Sequence, residues 1–187
     1  MKRIIVNADD FGLCTGVVNG IVHGYRHGII SSASLMLTMP KSMAAVEAGV
    51  RNPGLDVGVH LTFTEGWPVM PAEWVPSLVN EDGRFLSEAE WRSTGRRPHL
   101  SELEAEFKAQ IALARQARLQ ISHLDLHTVT GYLLPGVFEL SVELASEYDM
   151  AIRYPFGENA GLLVAALAQS AGMSAAQAAS LVERYRR

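Results

Sequence analysis

The sequence predicts an α/β fold built on a parallel sheet, and three observations carry that expectation. Short apolar runs of strand length alternate with longer segments of helical spacing. Turn signals fall between them. The chain has 187 residues, 48% of them apolar types, enough to bury a substantial core in one domain.

The segments follow in order. Residues 3–8, with Ile4, Ile5 and Val6, read as the first strand. Val17, Val18, Ile21, Val22 and Tyr25 then recur at helical spacing up to His27, and Gly28 closes that helix. Residues 31–37 read as a second strand, and Pro40 opens a helix that runs to Val50. Asn52-Pro53-Gly54 is a turn before a third strand over 55–62. Between Trp67 and His99 the periodicity lapses, with a turn at Asn80-Glu81-Asp82-Gly83. A stretch that long reads as a lid or substrate-binding excursion. Ser101 suits the N-cap of the next helix, with Glu104 completing a capping box and Leu103, Phe107, Ile111 and Ala114 forming its buried stripe. Residues 121–126 give a fourth strand, 135–148 a further helix and 151–153 the start of a fifth strand. The Ala-rich stretch 160–179 is broken by Gln169, Ser170, Gly172, Ser174 and Gln177, which makes two short helices rather than a membrane span. Such alternation points to a parallel sheet or a (β/α) barrel-like fold over a single domain, residues 1–187.

Chemistry concentrates at the expected strand ends. Asp9 and Asp10 follow the first apolar run, where an acidic pair costs strand propensity and repels itself. Gly12 and Gly16 let the chain turn there, so both carboxylates face the carboxyl edge of the sheet, where α/β proteins hold ligands. His60 ends the third strand and His127 the fourth. Parallel strands would bring these groups to one rim, and two imidazoles with a carboxylate suit a catalytic divalent-metal site. Period-two alternation puts His123, Asp125 and His127 on one face of the fourth strand, so Asp125 or His123 could orient a neighbouring histidine from behind the ion.

The composition excludes other classes. The net charge of -4 argues against a nucleic-acid partner. The single cysteine, Cys14, cannot form an internal disulfide, which points to a reduced, cytoplasmic chain. The first apolar run is too short for a signal-peptide core.

Four ordered motifs resemble the YdjC-like carbohydrate deacetylases: Asn7-Ala8-Asp9-Asp10-Phe11-Gly12-Leu13, the segment from Gly28 to Met36, Gly58-Val59-His60-Leu61-Thr62, and Ser122-His123-Leu124-Asp125-Leu126-His127. The resemblance implies an irregular (β/α) barrel of the glycoside hydrolase/deacetylase type, left incomplete here at the C-terminal end. It implies removal of acetyl groups from N-acetylated mono- or oligosaccharides by a metal-bound water. On that pattern Asp10, His60 and His127 match the ligands of a zinc or magnesium ion, Asp9 the general base, and Arg153 a substrate contact at the rim. Two departures stand out. Thr128-Val129-Thr130-Gly131 replaces further histidines of the family's fourth motif, and the later His-Pro-Gly segment with its acid histidine is missing. Either the chain is a shortened form that completes its barrel by other contacts, or His123 or another group donates the last proton. The alternatives are a catalytically impaired carbohydrate-binding or interaction protein, or another metal-assisted hydrolase. Exposed strands of an unfinished barrel would also favour a homo-oligomer.

Overall fold

The computed structural model describes residues 4–155, 161, 164–165 and 173–185. Its five strands form one sheet in sequence order: β1 (Asn7–Phe11), β2 (Ser32–Leu35), β3 (Asp56–Leu61), β4 (Ile121–Leu126) and β5 (Ala151–Ile152). Every pairing is parallel. Parallel neighbours need crossovers, supplied here by α1 (Thr15–His27), α2 (Ser42–Val50), α3 (Glu88–Thr94), α4 (Leu100–Gln116), α5 (Thr130–Leu133) and α6 (Val137–Glu147). A last helix, α7 (Ala175–Tyr185), buries Ala178 and Val182 and donates a hydrogen bond from the Tyr185 hydroxyl to Tyr132 O, 3.2 Å. No helix among the described residues is long and apolar enough to cross a membrane.

The strands divide their side chains between two faces. Ala33, Leu35, Val57, Val59, Leu61, Leu124 and Leu126 join the apolar core with Leu103, Phe107, Ile111 and Ala114 of α4. The expected α4 stripe is therefore its buried face. The opposite face carries Asn7, Ser34, His60 and Asp125, tied to one another by hydrogen bonds.

That polar face is concave. Arg153, just past β5, donates to both carboxylate oxygens of Asp9 on β1 at 3.0 and 2.6 Å. In a flat sheet the outer two of five strands would stand roughly 19 Å apart, at about 4.8 Å per spacing. One guanidinium spans them, so the sheet curls as part of a barrel wall. The curl agrees with the expected irregular barrel; among the described residues the sheet stays open, with β1 and β5 as its edges.

Three elements differ from expectation. β1 begins at Asn7, leaving Ile4 and Ile5 86% and 76% exposed. β2 starts only at Ser32, and Val6 O already accepts from the backbone N–H of Ser31 and Ser32, so the two isoleucines have no strand to pair with among the described residues. The excursion after Trp67 contains α3, capped by a true capping box: Glu90 N donates to Ser87 Oγ, and Ser87 N to Glu90 Oε2. The box expected at Ser101–Glu104 does not form. His99 is the N-cap; Ser77 Oγ accepts from His99 N, Ser77 N donates to Glu102, and Glu104 pairs with Lys108 instead. Tertiary contacts thus set where α4 begins. Of the two helices expected over 160–179, half of the span lies outside the described residues, and α7 covers its last five positions.

Helix α4 also carries two buried polar side chains that its apolar stripe concealed. Glu106 accepts from the backbone N–H of Val69 and Met70 at 2.9 and 2.8 Å. Gln110 bonds both the N–H and the carbonyl of Thr62. Together they satisfy the backbone of the segment that leaves β3, which would otherwise be buried unpaired. Burial pushes the Glu106 carboxyl above its ordinary pKa, and the backbone donors only partly oppose this. With a folded pKa above the unfolded one, its contribution to stability is complete at low pH and shrinks as pH rises through the raised value. The destabilisation caused by Glu106→Gln should therefore be larger at pH 4.5 than at neutral pH, as checked by denaturant unfolding of both proteins across that range.

Candidate metal centre

The two aspartates reach the concave face by a break in strand regularity. In a regular strand, neighbours such as Asp9 and Asp10 point to opposite faces. Here the register jumps from Ala8↔Ala33 to Phe11↔Leu35, three residues on β1 against two on β2. Asp10 takes up this bulge with φ 66°, a left-handed conformation that aspartate tolerates better than most residues. Gly12 follows at φ 113°, where a Cβ would press to 2.9 Å from Met36 O. As a result both carboxylates face the same interior.

Asp10 Oδ1 lies 3.5 Å from His60 Nε2 and 3.2 Å from His127 Nδ1. These three atoms fall within 4.8 Å of one another and form a group that could hold a metal ion. Each ring is turned by a carboxylate on its far side. His60 Nδ1 is 2.6 Å from Asp125 Oδ1, and His127 Nε2 is 2.9 Å from Glu65 Oε2. Because a carboxylate only accepts, those outer nitrogens carry the protons of the neutral rings, and the inner ones present lone pairs. His127 Nδ1 is buried without a hydrogen bond, an orphaned acceptor aimed at the group. Two imidazole nitrogens, one of them that orphan, and one carboxylate fit a divalent ion.

Asp9 lies beside the group. Besides Arg153 it accepts from Asn7 Nδ2 at 2.8 Å. Burial raises its pKa, but the Arg153 hydrogen bonds and charge, with His60, outweigh this and leave it below the ordinary value. Asp10 is likewise held low, chiefly by His60. Arg153 also reaches the buried Asp125 Oδ2 at 2.7 Å. Its guanidinium thus forms ion pairs that run inward to Asp9 and Asp125. Asp125 accepts from Ser34 Oγ at 2.7 Å too, so one buried carboxylate joins β2, β3, β4 and Arg153.

His123 sits apart from the triad. Its Nδ1 pairs with Ser122 Oγ at 2.8 Å, and its ring lies over Gly58, where any Cβ would collide with it. It faces a cavity of about 370 Å³ shared with Asn7, Ser32, Asp56 and Arg153. Burial lowers its pKa against the pull of Asp125, so the ring is neutral near pH 7.

His60 behaves in the opposite way in the metal-free protein. Burial alone would lower its pKa, yet the hydrogen bonds that the doubly protonated ring donates to Asp10 and Asp125 raise it to about 9. This contribution to stability is complete below the ordinary value of 6.5 and is lost as pH climbs through about 9. Chelator-treated protein should lose stability over that window, and His60→Gln should flatten the loss, as read from unfolding curves at each pH.

Sequence reasoning located Asp9, Asp10, His60 and His127 at one rim with Asp125 on the strand face behind a histidine, and the structure brings these five together. It missed Glu65, in the segment that leaves β3. It also missed Glu88, whose carboxylate accepts from the backbone N–H and the hydroxyl of Thr130 and so ties α3 to the segment after His127. Glu65 lies in a loop and Glu88 opens a two-turn helix, and neither position carries a periodic signal.

A curled parallel sheet with an Asp/His/His group at its carboxyl rim defines the class of protein. The chain belongs to the YdjC-like family, whose model matches residues 3–187. A carbohydrate deacetylase of Listeria monocytogenes serotype 4a (strain HCC23) is 38% identical over 152 residues, 81% of this chain and 60% of that protein. The carbohydrate deacetylase of Brevibacillus brevis is 37% identical over 159 residues, with 82% and 60% covered. Among solved structures, a candidate cellobiose-phosphate cleavage protein from Enterococcus faecalis V583 superposes with a TM-score of 0.73 at 31% identity, over 80% of this chain and 57% of that one. The chain thus spans about 60% of the length of the curated relatives it matches.

Proposed function

We propose that the protein is a metal-dependent carbohydrate deacetylase that hydrolyses the N-acetyl amide of a mono- or oligosaccharide in the cytoplasm. The observation that carries this reading is the convergence of Asp10 Oδ1, His60 Nε2 and His127 Nδ1, each ring backed by a carboxylate, with Asp9 alongside. The curated relatives named carbohydrate deacetylases supply the substrate class. A divalent ion held by the triad would polarise the amide carbonyl and acidify a water. The mixed nitrogen and oxygen donors suit zinc, and magnesium is the second candidate.

The chain's own residues then divide the work. Asp9, kept ionised by Arg153, accepts the proton of the attacking water on a carboxylate oxygen. The same carboxyl can pass that proton to the leaving amine, which gives acetate and the free amino sugar without a separate acid. Arg153 orients Asp9 through two parallel hydrogen bonds and holds it against the β5 edge.

The test is acetate release from N-acetylglucosamine and its oligomers, with zinc, with magnesium and after chelation. Metal-dependent acetate release is the expected result. No bound metal and no acetate from a folded protein would overturn the proposal in favour of a carbohydrate-binding role. The E. faecalis neighbour makes a phosphorylated disaccharide the apt comparison substrate.

A further inference from the structure

We infer that Glu65 is a positioning residue of the metal centre: it fixes the ring orientation and tautomer with which His127 meets the ion. The inference rests on the metal-site reading above and extends it to a residue outside the triad. The two histidines present opposite atoms, His60 through Nε2 and His127 through Nδ1. Which nitrogen faces inward depends on what holds the outer one. For His60 that partner is the fully buried Asp125 on the paired strand, opposite it in register. For His127 it is Glu65 Oε2, 2.9 Å from Nε2. An ionised carboxylate accepts and cannot donate, so Nε2 carries the hydrogen and Nδ1 keeps its lone pair free. The orphaned, buried Nδ1 is the other half of that arrangement.

The loop bearing Glu65 is built to hold it there. Thr62 is bonded at both its N–H and its carbonyl by Gln110, and the N–H groups of Val69 and Met70 are held by Glu106, so Glu65 lies between two clamps. Thr64 Oγ1 meets Thr128 Oγ1 at 3.4 Å, and His127 N donates to Leu61 O at 3.1 Å, which join this loop to the one carrying His127. With backbone on both sides fixed, the Glu65 carboxylate decides the ring flip. Without it, the imidazole can rotate and offer Nε2 from a displaced position.

Zinc titration of the full chain, followed by calorimetry, tests this with wild type, Glu65→Gln and Glu65→Ala. Glu65→Ala should bind Zn²⁺ about 10- to 100-fold more weakly, whereas Glu65→Gln keeps an acceptor oxygen and should recover most of that loss. Nitrogen NMR of the zinc-loaded protein should show His127 ligated through Nδ1 with a protonated Nε2 in wild type, and a mixture in Glu65→Ala. A merely structural Glu65 would lower the melting temperature of the metal-free protein and leave zinc affinity and ligation unchanged; that result overturns the inference. So does Glu65→Gln falling as far as Glu65→Ala, which would make bare charge the cause. Failure of wild type itself to bind zinc would instead remove the metal-site reading, and this inference with it.

Discussion

Asp9→Asn should keep the zinc stoichiometry of the wild type while acetate release falls by about 10²- to 10⁴-fold, the usual worth of a positioned general base. Asparagine retains an oxygen for Arg153 and the same shape, so the curl of the sheet survives and the triad, which draws only on Asp10, stays intact. What is lost is a carboxylate beside the triad that Arg153 holds ionised and that can take a proton. Metal content by atomic emission and acetate by coupled assay separate the outcomes. Loss of the ion with turnover would show that the two aspartates have exchanged roles.

Arg153→Met should cost about 3 kcal/mol of unfolding free energy, because one partner of a buried ion pair is removed and the other stays behind. The cost falls on Asp125, whose side chain is fully buried, more than on the half-exposed Asp9. Exposed ion pairs are worth about 1 kcal/mol or less, so a loss that small would mean Ser34 and His60 alone satisfy Asp125. Arg153→Lys should not rescue: one ammonium cannot supply the two parallel bonds to Asp9 and the contact to Asp125 together. Urea unfolding at neutral pH reads both variants.

The legible part of this site was the part written in strand periodicity. Alternation along β4 placed Asp125 on the face of His127, and the ends of β1, β3 and β4 were recognisable from apolar runs and turns. Alternation cannot show register, however, and register is what sets Asp125 directly opposite His60. Nor can it foresee the bulge: period two sends Asp9 and Asp10 apart, and only the left-handed Asp10 brings them to one side. The lid-like excursion looked unstructured because α3 is two turns long and its capping box lies in a segment otherwise crowded with turn residues. Glu65, Glu88 and Glu106 act through tertiary hydrogen bonds to segments far along the chain, and no local pattern encodes such partners.

The Asp9–Arg153 clasp has a consequence for assembly in time. Its partners are separated by 144 residues, and the triad itself draws on β1, β3 and β4. Contacts so distant form only after intervening loop-closure entropy has been overcome, so they belong to the late stage of folding. On the ribosome the first aspartates emerge long before the strand that restrains them. The Asp10, His60 and His127 group is therefore complete only after the fourth strand has docked, and the Asp9–Arg153 clasp only after the fifth.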